Sequence, residues 1–311
     1  MRISITDMSR HANATKSYNN NNNNKNNYYS NFKPTKLDIL INKIFKFMSA
    51  RDQKYVKEII HMTKSEIGLK SNLEKISRLV LTYSNLKKDE TRQDFIVSKI
   101  MNFIDSYIMN DQSTIVDIGG GNGNVLSGLK LNLGGAKEQY ICVETASDWV
   151  ESYEFNKTSC TYVFWDNNSI DVPTESCDLV LCMVSLHHMS DEIISKTLRE
   201  IYRILKPSGL VMIKEHDNNS TDANMLIHWE HHLYHILDCA YNKEHIQTDS
   251  YLQQTIHNFK SKESWKEIFE YHEFEFHQRT NRFLEETYIE HDIKNPSNLY
   301  WDIYTKLHRR I

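Results

Sequence analysis

The sequence predicts an α/β fold in which a doubly wound, seven-stranded, mostly parallel sheet carries helices on both faces. Two observations predict this fold. Apolar, β-branched runs alternate with stretches of helical periodicity after residue 111, and such alternation builds a parallel sheet between layers of helices. A glycine-rich loop also follows the first of these runs, where a strand turns sharply into a helix. An N-terminal helical addition and a helical insertion after the fifth strand complete the prediction.

Seven runs have the composition of strands. Five are predicted to be parallel and two to close the sheet as an antiparallel pair: Thr114 to Ile118, Gln139 to Glu144, Cys160 to Trp165, Cys177 to Ser185, Leu210 to Glu215, Phe274 to Arg282 and Leu299 to Leu307. The clearest helix precedes the fifth strand, because Ser190 can cap it and apolar residues recur from Ile194 to Leu205. The segment 206–209, Lys-Pro-Ser-Gly, is predicted to end that helix.

The chain divides into three predicted regions. Residues 1–33 contain a run of asparagines and too few apolar side chains to fold, so they are predicted to be a disordered tail. Residues 34–110 are predicted to be helical, with apolar stripes over 37–48, 55–60, 73–83 and 91–109. Residues 111–311 form the predicted sheet domain, in which a His-rich helical insertion over 218–262 is expected to act as a lid.

Composition limits the choice of partner and compartment. The start of the chain lacks a hydrophobic signal core, and no apolar run approaches the roughly 18 residues needed to span a bilayer, so a cytoplasmic protein without a membrane partner is expected. The formal net charge of −4 gives no global field that would recruit nucleic acid, and DNA is not expected. The helical region before the glycine loop is mildly basic, which leaves RNA as an alternative. Nothing in the sequence indicates the oligomeric state.

The glycine loop discriminates between two types of nucleotide cofactor. A dinucleotide fingerprint requires Gly-x-Gly-x-x-Gly, and here Asn124 or Leu126 occupies the third glycine position. The loop instead begins with an acid, Asp117, two residues before its first glycine. An acid at that position would repel a pyrophosphate but suits a cationic ligand. A nicotinamide oxidoreductase is therefore disfavoured.

The segment Asp-x-Gly-x-Gly-x-Gly, from Asp117 to Gly123, resembles the first motif of the class I S-adenosylmethionine-dependent methyltransferases. The resemblance covers residues 111–311 and implies the fold predicted above, with S-adenosylmethionine as the cofactor. It implies that Asp117 orients the amino group of the cofactor, directly or through water, and that Glu144 holds the ribose. The other cofactor-binding positions that it implies are Gly119, Gly121 and Gly123 at the methionine end, and Asp166 and Asn167 at the adenine.

The segment after the fourth strand resembles that of methyltransferases with Leu-His-His at this position, which faces the transferred methyl group. That group acts on many acceptors, so the acceptor stays open between a small molecule and RNA. His187, His188 and His216 follow strands beside the expected pocket and are the candidates for a general base. The alternative is that His187 packs under the cofactor and His188 begins a helix.

Two further interpretations concern Lys214 and the histidines of the insertion. Lys214 could match a lysine of ribose 2′-O-methyltransferases, but the matching acid after the fourth strand is missing. In the insertion, the pairs 228 with 232 and 231 with 235 are histidines spaced i, i+4, which could clamp zinc, although packing is the commoner role and no metal is expected.

A catalytically silent subunit that binds the cofactor and a protein partner is the alternative function.

Overall fold

A computed structural model of the chain describes residues 34–84, 86, 91–106, 113–133, 139–144, 160–254, 257–277 and 295–307. Four predictions lie wholly or partly outside these residues: the Asn-rich tail over 1–33, the end of the last N-terminal helix over 107–109, residues 255–256 of the His-rich insertion, and the end of the sixth strand over 278–282.

The sheet consists of β1 (Thr114–Ile118), β2 (Gln139–Glu144), β3 (Thr161–Phe164), β4 (Cys177–Met183), β5 (Leu205–His216), β6 (Phe274–Phe276) and β7 (Leu299–Lys306). Their order is β3-β2-β1-β4-β5-β7-β6, and β7 runs antiparallel to both of its neighbours. The predicted seven-stranded, mostly parallel sheet is confirmed. Because β1 lies between β2 and β4, the carboxyl ends of three parallel strands meet at one edge, where open sheets of this kind bind ligands.

The described ranges contain nine α-helices: α1 (Lys36–Ile44), α2 (Ala50–Met62), α3 (Glu66–Val80), α4 (Thr91–Ser106), α5 (Asn124–Leu133), α6 (Asp191–Ile204), α7 (Thr221–Tyr241), α8 (Thr248–Gln254) and α9 (Lys262–Tyr271). Helix α6 begins where the sequence predicts, because the Ser190 hydroxyl accepts a hydrogen bond from the Ile193 N–H. None of these nine helices has the length and apolarity that crossing a membrane requires.

Strand β5 begins at Leu205 and therefore includes the segment predicted to be a helix-ending turn. Leu205 pairs with Cys177 and Leu210 pairs with Leu179, so residues 206–209 of β5 lie opposite the single residue 178 of β4. An irregularity of this kind accommodates Pro207, which is exposed and has no N–H to donate to the ladder. Helix α6 ends at Ile204, just before this segment as predicted, but the predicted start of the strand at Leu210 was wrong, because the strand includes the turn residues as a bulge.

Buried apolar residues form three clusters. Two lie on opposite faces of the sheet, as the alternation of Val180 and Leu181 along β4 requires. The third joins α1, α2 and α3 to α7, and its buried members include Leu40, Phe45, Ile59, Leu73, Leu233 and Ile236. We call α1–α3 together with α7 and α8 the helical cap. Two segments that are far apart in sequence, one before the sheet and one inserted after β5, thus share one apolar core.

Candidate active site

The glycine loop follows β1 and leads into α5. Gly119, Gly121 and Gly123 have φ angles of +68°, +55° and +69°, a region that L-residues with side chains rarely adopt. The Gly119 N–H donates a hydrogen bond to the carbonyl of Val143 in β2. The loop is therefore tied to the neighbouring strand and turns over the carboxyl ends of β1 and β2.

Two glycines of this loop have different surroundings. A Cβ atom at Gly123 would lie 2.6 Å from Tyr162 Oη and 2.8 Å from Cys160 Sγ, so the region of β3 packs directly against this glycine. A Cβ atom at Gly121 would meet no atom of the described chain within 4 Å. The packing of the chain itself explains Gly123, whereas the space beside Gly121 is open to a ligand.

Asp117 lies beneath the loop at the end of β1, where it is 1% exposed. Within the described part of the chain, its Oδ1 atom has no hydrogen-bond partner. Burial raises the pKa of this carboxyl group to about 8, and the negative charge of Glu144 adds to the effect. A buried carboxyl oxygen without a partner is costly, so this atom is suited to a ligand that brings a hydrogen-bond donor.

Glu144 ends β2 beside the same loop and is buried. Its Oε2 atom accepts a hydrogen bond of 3.0 Å from the Gly121 N–H. The carboxylate is therefore held next to the glycine whose Cβ side is open. Asp117 and Glu144, which the sequence predicts to bind one ligand, are brought to the same loop from two adjacent parallel strands.

Asp166 and Asn167 follow β3 in a tight turn. The two carboxylate oxygens of Asp166 accept hydrogen bonds of 3.0 Å from the backbone and side-chain nitrogens of Asn168. These hydrogen bonds lower the pKa of Asp166, which is exposed. Asn167 adopts a left-handed conformation with φ of +67°. The turn is stabilised from within, so an adenine amino group would have to share the carboxylate with Asn168.

The segment that follows β4 packs against the end of β1 and the first glycine of the loop. The Ser185 hydroxyl donates a hydrogen bond of 2.8 Å to the carbonyl of Ile118, and a Cβ atom at Gly119 would lie only 2.7 Å from the Cβ of Ser185. A single 3₁₀ turn over Leu186–His188 follows directly. The two consecutive histidines therefore begin two residues beyond a side chain that packs on the glycine loop.

His187 forms a buried pair with Glu215 near the end of β5. The His187 Nδ1 and Glu215 Oε2 atoms are 2.5 Å apart, and both side chains are fully buried. The second oxygen, Glu215 Oε1, accepts a hydrogen bond of 2.9 Å from the Leu186 N–H. Burial raises the pKa of Glu215 to about 7, although the charge of His216 opposes this. The carboxylate fixes both the orientation of the imidazole and the nitrogen that faces it.

Three more histidines surround this pair. The ring centroids of His188, His216 and His231 lie 4.2, 5.5 and 4.9 Å from that of His187. His188 is exposed, whereas His216 is buried and donates its Nδ1–H to the carbonyl of Ser297 at 2.9 Å. The Nε2 atom of His231 lies 3.0 Å from the Nε2 atom of His187. The three predicted base candidates therefore lie in one cluster, and His187 is bonded directly to a carboxylate.

Two members of this cluster, Glu215 and His231, are absent from the predicted site. Glu215 had a signal, because a charged residue at the end of an apolar parallel strand needs a buried partner. Side chains alternate along β5, and Lys214 points to the other side of the sheet, with its Nζ 5.5 Å from the Trp301 ring. His231 had no comparable signal, because its partner is 44 positions away in sequence.

Of the two i, i+4 pairs of histidines on α7, the rings of residues 228 and 232 have centroids 6.3 Å apart, whereas residues 231 and 235 contact different partners. His231 turns to His187, whereas His235 stacks on Tyr251 at 4.0 Å and His232 bonds the Tyr251 hydroxyl. The described residues contain one group that could approach a metal ion, with one nitrogen each from His187, His188 and His231 within 4.8 Å of one another. Tetrahedral zinc bonds of about 2.0–2.1 Å place ligand atoms about 3.4 Å apart, so this group is wider than such a site.

The order of strands in the sheet, with one antiparallel strand between β5 and β6, defines the class I methyltransferase fold. A family model described as "Methyltransferase domain" matches residues 74–279, and the chain belongs to this family. No curated protein is similar to the chain at a significant level.

Solved structures provide further comparisons. The protein in complex with the Trm112 methyltransferase activator of Haloferax volcanii is 15% identical, with a TM-score of 0.47 over 71% of this chain and 92% of that one. YcgJ of Bacillus subtilis is 15% identical, with a TM-score of 0.43 over 70% and 100% of the two chains. A SAM-dependent methyltransferase of Aquifex aeolicus is 16% identical, with a TM-score of 0.40 over 68% and 90%.

Proposed function

We propose that the protein transfers a methyl group from S-adenosylmethionine to a hydroxyl group of a small-molecule acceptor. The observation that carries the proposal is the buried His187–Glu215 pair two residues beyond the Ser185 contact with the glycine loop. An acceptor whose nucleophile is already a free lone pair needs only to be oriented, whereas a hydroxyl must lose a proton. A carboxylate-bound imidazole supplies the base that such an acceptor requires.

The cofactor end of the proposed site consists of the glycine loop and two acids. Asp117 has a buried oxygen to offer to the amino group, and the open side of Gly121 leaves room for the methionine portion. Glu144, already held by the Gly121 N–H, would bind the ribose hydroxyls. Asp166 and Asn167 would contact the adenine from the turn after β3. Bound S-adenosylmethionine supplies an electrophilic methyl group on a sulfonium.

The acceptor end of the proposed site, formed by His187 and Glu215, removes the proton of the acceptor hydroxyl. The acceptor oxygen would give its proton to His187 Nε2, and the released oxygen lone pair would form the bond to the methyl carbon as the carbon–sulfur bond breaks and S-adenosylhomocysteine leaves. Glu215 stabilises the resulting imidazolium through Nδ1–H, so the positive charge develops next to a carboxylate. The burial of His187 beneath α7 favours a small acceptor over folded RNA.

Binding calorimetry tests the cofactor end. S-adenosylmethionine, S-adenosylhomocysteine and NAD are titrated into the wild type, into an Asp117→Ala, Glu144→Ala double variant, and into a Glu192→Ala, Glu270→Ala control that removes two exposed acids. We expect the wild type and the control to bind the two sulfur compounds, and the double variant to lose them. Binding of NAD instead would contradict the proposal.

A turnover screen tests the acceptor end. S-adenosylhomocysteine release is measured with separate panels of hydroxyl compounds, amines and RNA, for the wild type and for His187→Ala. We expect turnover on hydroxyl compounds that His187→Ala abolishes. Turnover on RNA or on amines would show that the acceptor belongs to one of those classes. Cofactor binding without turnover on any panel would support a catalytically silent subunit.

A further inference from the structure

The contact between His187 and His231 determines which atoms carry protons. His231 Nδ1 lies 2.8 Å from the carbonyl oxygen of Ile227. A carbonyl oxygen can only accept, so Nδ1 must hold the proton. His231 Nε2 then has a lone pair in the neutral ring, and it lies 3.0 Å from His187 Nε2. The proton between the two Nε2 atoms therefore belongs to His187.

This assignment means that His187 is not ready to act as a base. Its Nε2 atom, the one that faces away from Glu215, already carries a proton and donates it to His231. The pair of His187 and Glu215 thus holds the proton that it would hold after removing one from an acceptor. Burial and neighbouring histidines keep the pKa of His231 well below its usual value, which agrees with a neutral, accepting ring.

We propose that His231 is a positioning residue that occupies His187 Nε2 while the acceptor is absent, and that the acceptor hydroxyl takes its place. This inference rests on the proposed function, because it names the atom for which α7 and the acceptor compete. The His231 ring moves away as a neutral imidazole, and His187 then gives up its Nε2 proton to solvent. The acceptor hydroxyl next donates a hydrogen bond to the deprotonated Nε2 atom of His187. Release of the methylated product lets His231 return to the protonated imidazole.

The helical cap holds His231 in place. Neighbouring Glu230 is buried, with Oε1 3.5 Å from Lys43 Nζ in α1 and Oε2 3.9 Å from His216 Nδ1. Residue 231 is thereby anchored on one side to the cap and on the other side to β5. His231 itself is partly exposed, so its ring can rotate away without unfolding α7. The acceptor therefore has to displace one side chain, or shift the helix that carries it.

The titratable groups that face His187 come from four segments. Within the described residues they are His188 on its own turn, Glu215 and His216 on β5, His231 on α7, and His257 before α9. Glu215 is the carboxyl group of this set. It bonds the Nδ1 side of the ring, and His231 contacts the Nε2 side, which is the side proposed for the acceptor.

Nitrogen NMR of the full chain labelled with ¹⁵N-histidine tests the assignment without any acceptor. Signals are assigned from His187→Ala and His231→Ala. We expect a protonated Nε2 on His187 that exchanges slowly with water, and an unprotonated Nε2 on His231. In His231→Ala the His187 Nε2 proton should exchange much faster. His231→Gln should restore slow exchange, because an amide oxygen can accept the same hydrogen bond.

His235→Ala is the matched control, because it removes a histidine one turn further along α7 that stacks on Tyr251. The His187 signal should not change in it. A protonated Nε2 on His231 would overturn the assignment. So would one equivalent of a metal that is retained by the purified wild type and lost in His231→Ala, because a metal ion would then take the place of the proton.

Kinetics with an acceptor found in the turnover screen test the competition. We expect His231→Ala to lower the KM for the acceptor by about three- to tenfold, because the free enzyme no longer has to give up a hydrogen bond. A raised KM would show that His231 binds the acceptor, and would overturn the inference. Failure of the proposed function is a separate result, seen as absent cofactor binding or as full activity of His187→Ala.

Discussion

The glycine loop and the histidine cluster lie at the same edge of the sheet but are built differently. The loop is contiguous, and its shape comes from three left-handed glycines and two strand-end acids. The histidine cluster takes His187, Glu215 and His231 from three separate elements, one of which belongs to the helical cap. Backbone conformation therefore defines one half of the site, and side-chain packing between distant segments defines the other.

Removing the base tests the acceptor half alone. We expect His187→Ala to lower kcat by about 10²–10⁴-fold, the usual contribution of a positioned general base, and to leave cofactor affinity unchanged. The measurement is S-adenosylhomocysteine release at saturating acceptor, with calorimetry of the cofactor beside it. His245→Ala, which removes an exposed histidine, is the control. Equal loss of cofactor affinity would mean that the two halves are not separable.

Asp117 is expected to strengthen cofactor binding while lowering the free energy of unfolding. The folded pKa of Asp117 is about 8 and the unfolded value is about 3.9, so the folded state binds the proton more tightly. The contribution of this group to stability is therefore greatest at low pH and falls as pH rises from about 4 to about 8, where the carboxylate ionises without a partner among the described residues. Asn at this position carries no charge at any pH.

We accordingly expect Asp117→Asn to raise the free energy of unfolding by about 2–4 kcal/mol at pH 8 and by much less at pH 4. Cofactor affinity should fall by at least about tenfold. Urea unfolding at the two pH values, with calorimetry at pH 8, measures both effects. Asp178→Asn, a half-buried acid paired with Lys206, is the control. A variant that is less stable at pH 8 would contradict the prediction.

Two glycine substitutions should separate packing from ligand space. Gly123→Ala places a Cβ against Tyr162 and Cys160, so we expect a loss of about 2–3 kcal/mol of stability. Gly121→Ala meets no described atom and should cost only about 1 kcal/mol of backbone strain, yet it fills the side left for the ligand. Thermal unfolding and cofactor titration on both variants test this. Unchanged cofactor affinity in Gly121→Ala would place the ligand elsewhere.

The smallest effect is expected at the adenine end. Asp166 is exposed and shares its carboxylate with Asn168, so Asp166→Ala should weaken cofactor binding by less than about 1 kcal/mol. Asp171→Ala, another exposed acid of the same segment, is the control. Calorimetry with S-adenosylhomocysteine is sufficient. A hundredfold loss of affinity for S-adenosylhomocysteine would show that Asp166 is a principal contact. The turn after β3 would then contribute as much to cofactor binding as the glycine loop does.

Local patterns predicted most of the sheet and the loop. Apolar runs bounded by turn residues located all seven strands, because burial on both faces imposes that composition. The start of β5 was wrong, since the segment 206–209 has the residues of a turn but forms a bulge within a strand. The resemblance of the glycine loop to the methyltransferase motif indicated Asp117 and Glu144, and the parallel strands bring both residues to one edge of the sheet.

The partners of the histidines could not be predicted in this way. The residue types and spacing in the sequence are sufficient for the seven strands, the turn at the glycines and the methyltransferase family, since each is visible in short stretches of the chain. Glu215 faces His187 because side chains alternate between the two faces of β5. His231 reaches His187 because α7 packs against the other helices of the helical cap. These contacts join residues 28 and 44 positions apart, and such contacts exist only once the sheet and the cap have packed together.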